Sequence, residues 1–146
     1  VMAPRARVTR LVASIAIAAA TIACGTRKTP VEPDQDPPSP SATFTRVQAE
    51  VFTPSCALSG CHAGAAPANG MDLSAGRAYS QIVGVAAVGS TRVRVAPGDV
   101  SASYLASKIR GDATITGSRM PLGGPYLSSE REQLVLDWIR RGAPND

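Results

Sequence analysis

Cys56-Ala57-Leu58-Ser59-Gly60-Cys61-His62 is the stretch on which the reading of this chain turns: two thiols with four residues between them, and an imidazole directly after the second. Those residue types point to soft metal ligation, to redox pairing or to covalent attachment through sulfur. A structural zinc site takes four Cys/His ligands. The region supplies only Cys56, Cys61 and His62, and His62 is the sole histidine of the chain. A Cys56–Cys61 disulfide is open to an exported protein, but it gives His62 no role. A thioredoxin-like pair takes two intervening residues in a βαβ setting, which the surrounding sequence does not offer.

The stretch also resembles a covalent haem c attachment site. In the common Cys-x-x-Cys-His form the thiols make thioethers to the haem vinyls and the adjacent imidazole binds the iron. Here the loop is two residues longer, a known variation in the cytochrome c family. Cys61 and His62 stay adjacent, so the relation between one thioether and the proximal ligand is kept and only the path back to Cys56 must bulge. Ser59 and Gly60 are suited to absorb it, glycine reaching positive φ without a Cβ penalty. The resemblance implies one covalent haem c, with Cys56 and Cys61 as thioether donors and His62 as the proximal ligand.

Outward from the motif, spacing predicts helices on both sides. Phe44, Val47, Val51 and Phe52 share one face of a helix running up to Pro54. Ser74 is the expected cap of a second, with Ala78, Tyr79, Ile82 and Val83 inward. Ser101 is the expected cap of a third, with Tyr104, Leu105, Lys108 and Ile109 on one side and Gly111 ending it. A fourth starts at Ser128 or Ser129, where Ser129 and Glu132 have capping-box spacing. Leu134, Val135, Trp138 and Ile139 form its stripe, and Gly142 and Pro144 stop it. Arg92-Val93-Arg94-Val95 alternates like a strand but meets Pro97-Gly98 at once. The expected fold is therefore all-α: one small domain over residues 43–146, with few large side chains of its own (two Phe, three Tyr, one Trp in the whole chain).

A helix ending before Cys-x(n)-Cys-His, a later Met-Pro in a glycine-rich loop (Arg119-Met120-Pro121-Leu122-Gly123-Gly124) and a terminal amphipathic helix with Trp138 together are similar to a class I cytochrome c. The run Trp138-Ile139-Arg140-Arg141-Gly142-Ala143-Pro144 resembles the small cytochrome c-like domains of bacterial and planctomycete-type lipoproteins. The resemblance implies that the first and last helices pack beside a haem, and that Met120 occupies the sixth-ligand position. By count, a bis-histidine iron from one chain is impossible, and outside the leader only Met71 and Met120 carry thioethers. Met71, close to the attachment loop, reads as a core side chain. Core packing is the alternative for Met120 too, with five-coordinate or water-bound iron. Arg92, Arg94, Lys108 and Arg119 could bind the haem propionates, but the plainer reading of each is a solvated surface charge. A backbone carbonyl near Pro67 or Pro97 is expected to accept the His62 Nδ1 proton.

The N-terminus speaks to compartment. Arg5, Arg7 and Arg10 precede an apolar run from Leu11 to Ala23, a signal-peptide pattern over residues 1–23 that is short for a bilayer span. It ends at Thr21-Ile22-Ala23-Cys24-Gly25, which looks like a lipobox with Cys24 as the lipidated residue, although Thr21 stands where leucine is usual. Cleavage near Ala18-Ala19-Ala20 is the alternative and would leave Cys24 a stray thiol. Residues 24–42, dense in proline and poor in apolar side chains, read as a disordered tether. Without the leader, twelve Lys/Arg face eleven Asp/Glu, so the basic balance gives no reason to expect nucleic acid.

The expected function is one-electron transfer by a c-type cytochrome on an exported, lipid-anchored protein, with a redox protein as partner and no catalytic residues of its own. The rival is a haem-free surface binding or structural module clipped by a Cys56–Cys61 disulfide. A haem enzyme is disfavoured because the chain has no second histidine and no acid/base pair near the motif.

Overall fold

The first helix begins where Thr43, in extended conformation, turns its hydroxyl back to accept from the Arg46 amide, satisfying one of the amides that a helix start leaves unpaired. The computed structural model describes residues 37–146. The expected leader, the lipobox with Cys24 and most of the expected tether lie outside the described residues. Helix α1 covers residues 44–55 as an α-turn Phe44–Val47, a π segment Gln48–Phe52 and a last turn Thr53–Ser55. It does not stop before Pro54 but carries it. The Thr53 amide reaches back to Gln48 and the Ala57 amide to Phe52. This wider winding relieves the clash that a proline ring makes with the carbonyl four residues earlier.

Helix α2 is Ala78–Ile82, α3 is Tyr104–Arg110 and α4 is Ser129–Arg140. The described residues are mostly helical where regular, with no strand, so the domain is all-α. The strand-like Arg92–Val95 segment makes only isolated bridges: Val93 with Ala86 and Ser103, and Val95 with Val83. Two start signals differ from expectation, and the third holds without its capping box. Ser74 caps nothing; its own amide is held by Asp72 Oδ1, and α2 begins later. The residue before α3 is Ser103, not Ser101, and its hydroxyl serves the loop, accepting from the Ala96 amide and donating to the Asp99 carbonyl. At α4 the cap is Ser128, accepting from Arg131. Glu132 is not folded back into a capping box because it faces Arg110 and Arg119. Gly111 ends α3 at φ 78°, as its position implied.

Helices α1 and α3 both pack on α4. Trp138, fully buried, lies 5.4 Å from Phe44 by ring centroids, and Phe44 also meets Phe52 and Tyr79 edge-on. Trp138 Nε1–H donates to the Pro144 carbonyl and the Tyr79 hydroxyl to the Ala143 carbonyl, so neither polar tip is left unpaired in the core. The chain closes on itself here: Asp146 Oδ1 accepts from the Phe44 amide, and Arg141 donates to the Ala42 carbonyl. Among the described residues no helix is long and apolar enough to cross a membrane.

Candidate functional site

The loop out of α1 folds back through two amides. Cys61 N–H donates to the Leu58 carbonyl and His62 N–H to that of Cys56, while Gly60 takes φ 79° at the corner. The bulge thus falls on glycine, as its freedom suggested. The following segment secures both ends of the Cys61-His62 pair, with Ala68 N–H on the Cys61 carbonyl and Leu73 N–H on that of His62, each at 2.8 Å. The His62 ring is buried, and its Nδ1 lies 3.3 Å from the Met71 carbonyl oxygen. A carbonyl can only accept, so this bond puts the proton on Nδ1 and leaves Nε2 with its lone pair. The expected carbonyl is present but belongs to Met71. Burial holds the imidazole below the usual histidine range, opposed by the carbonyls of Met71 and Ala68. The imidazole is therefore neutral near neutral pH.

Cys56 and Cys61 are both free thiols, Cys56 half-buried and Cys61 exposed. Burial, with the neighbouring Cys61 adding to it, pushes Cys56 up to about 11. It is therefore a protonated thiol at neutral pH and not an activated nucleophile. Among the described residues no group of three or more His, Cys, Asp or Glu side chains is placed to hold a metal ion.

Two adjoining cavities open beside these residues. The larger has an empty volume of about 1060 Å³, counting the space at its mouth, and is lined by Cys56, Cys61, His62 and Met120. Its walls are apolar, with Leu73, Leu105, Ile109 and Leu127 facing in and no Lys, Arg, Asp or Glu on the lining. The smaller, about 620 Å³ on the same measure, shares His62, Met71, Leu105 and Met120 with it. It adds the polar groups Arg94, Lys108, Asn69 and Thr116. All four motif residues thus meet on one continuous space, although Met120 is 58 residues beyond His62 in the chain. The soft donors on that space are the His62 imidazole, the Cys56 and Cys61 thiols, and the thioethers of Met120 and Met71. Met71 is partly buried against the hydrophobic core, and its carbonyl already serves the His62 ring.

Of the four basic candidates, two line the smaller cavity. Arg94 donates to the carbonyls of Gln81 at 2.7 Å and Asn69 at 3.2 Å, and Lys108 to those of Thr116 and Ser118. Arg92 instead stacks on Tyr104 and donates to Ser101 and Ser107. Arg119 is turned onto the end of α3 and Glu132. Sequence reasoning did not single out Leu105 and Leu73 as walls. Leu105 shared the predicted face of α3 with Tyr104, Lys108 and Ile109, and all four line one or both cavities, Leu105 and Lys108 half-buried and Tyr104 and Ile109 buried. No protein-family model, characterised protein or solved structure matches this chain.

Proposed function

We propose that this protein is a c-type cytochrome that carries one electron through a single covalent haem. The observation that carries the reading is the convergence of Cys56, Cys61, His62 and Met120 on one large, apolar, uncharged cavity. The residues present fit the group: a soft donor pair for iron, two free thiols beside the imidazole, and apolar walls for a macrocycle. Bound haem supplies an Fe(III)/Fe(II) couple.

The chain's own residues define how that couple behaves. Cys56 and Cys61 would anchor the group through thioethers, and the Met71 carbonyl holds the His62 tautomer in which Nε2 would be the donor to iron. A neutral imidazole and a thioether favour the ferrous state, giving a comparatively high potential. His62 and Met120 would together hold the iron, which favours an electron carrier over an enzyme acting on oxygen or peroxide. Arg94 and Lys108 are the cations suited to the haem carboxylates. The basic, then apolar leader ending at Cys24 supports export and lipid anchoring on a bacterial membrane, with a redox protein as partner.

The test is a pyridine haemochrome spectrum after expression with periplasmic haem c maturation and denaturing removal of loose haem. A spectrum of haem with both vinyls saturated is the expected result. No retained haem overturns the reading in favour of the disulfide-clipped module. Mass spectrometry of the mature N-terminus tests Cys24, an unmodified cysteine counting against the lipid anchor.

A further inference from the structure

Two consecutive residues of the Met120 loop are fastened to two consecutive carbonyls at the end of α3. Met120 N–H donates to the Lys108 carbonyl at 2.8 Å, and Arg119 Nε–H to the Ile109 carbonyl at 2.7 Å. These belong to the last-turn carbonyls that a helix leaves without internal partners. The Arg119 guanidinium also lies 3.5 Å from Glu132 Oε2 on α4 and 4.3 Å over the Tyr126 ring. Its stem runs so close to Gly111 that a Cβ there would stand 2.7 Å from Arg119 Cδ. The side chain before Met120 is therefore fixed from α3, from α4 and from the loop beyond the prolines at once.

We propose that Arg119 is the positioning residue for the Met120 sulfur. The proposal rests on the reading of Met120 as the sixth ligand. Met120 is only partly buried, and a methionine side chain has three rotatable bonds with which to leave a metal. What keeps its sulfur at the cavity is the placement of its backbone, which the Arg119 side chain secures beside the Met120 amide's own bond to Lys108. Lysine cannot replace it, because one ammonium cannot serve a carbonyl and a carboxylate while stacking on Tyr126.

The test compares the haem-loaded parent with Arg119→Ala, Arg119→Lys and Glu132→Gln. Added imidazole is titrated against ferric protein, since it must displace the thioether to bind, and the reduction potential is measured beside it. Arg119→Ala is expected to bind imidazole about tenfold more tightly and to have a lower potential, Arg119→Lys to recover little, and Glu132→Gln to move in the same direction by about threefold. Met120 amide exchange should be faster in Arg119→Ala. Imidazole affinities in all three variants within about twofold of the parent, in a parent that has Met120 on the iron, overturn the proposal alone. If Arg119→Ala does not fold, Glu132→Gln decides it by the same criterion. A haem-loaded parent with no thioether on its ferric iron overturns the Met120 reading and this proposal together. A parent without covalent haem overturns the cytochrome reading as well.

Discussion

His62 Nδ1 sits 3.3 Å from the carbonyl oxygen of Met71, nine residues further along the chain. That contact sets the imidazole's tautomer and leaves Nε2 with its lone pair. It is a main-chain contact, so it survives most changes of the Met71 side chain.

Nitrogen NMR of the His62 ring at pH 7 should accordingly show a neutral imidazole protonated on Nδ1. Burial lowers its affinity for a second proton, so the ring should charge only below the usual histidine range. Met71→Leu should leave both observations unchanged. A ring protonated on Nε2 would contradict the contact.

Met120→Ala should keep haem attached through Cys56 and Cys61 while opening the sixth position and lowering the potential. The ferric absorption spectrum is the check, and a spectrum identical to that of the parent would show that Met120 is not the ligand.

Trp138→Ala should destabilise the fold by about 3–5 kcal/mol in urea unfolding, because it empties a fully buried indole site against Phe44. Trp138→Phe should cost less, retaining the ring contact but stranding the Pro144 carbonyl that accepted from Nε1.

Asp146 predicts a pH dependence. The Phe44 amide, and secondarily Arg141, hold its carboxyl below the usual aspartate range. The folded state thus binds the proton less readily than the unfolded chain does. Its contribution is complete above the ordinary aspartate value and is lost as pH falls through the depressed one. Asp146→Asn should therefore flatten the acid limb of a stability–pH curve measured by thermal unfolding, and an unaltered limb would count against the contact's importance.

The helices were legible where apolar periodicity and a terminal glycine coincided, as at Leu134, Val135, Trp138 and Ile139 of α4 and at Gly111 of α3. The start signals misled because the sequence offers several serines in a row. Ser128 and Ser129 compete for one cap, and Ser103 is used for loop hydrogen bonds that no local pattern announces. The π winding around Pro54 was equally hidden, since proline reads locally as a stop and only the longer-range amides show it being carried. Of the site, Cys56, Cys61 and His62 were legible as a motif and Met120 by its place in the chain. The assignment of Arg94 and Lys108 to the cavity, and of Arg92 and Arg119 elsewhere, depends on tertiary contacts between segments far apart in sequence.

The bonds joining Phe44 to Asp146 and Ala42 to Arg141 bring the two ends of the folded unit together without a covalent link. These bonds put the two ends close enough for a short bridge, so the chain can be opened instead at an exposed turn. A circular permutant with the ends bridged by a short glycine-serine linker and new termini between exposed Ala75 and Gly76 should fold. In that polypeptide Met120 would be synthesised ahead of Cys56, Cys61 and His62. The order of motifs by which such a chain is recognised would be reversed, while the cavity they share stayed intact.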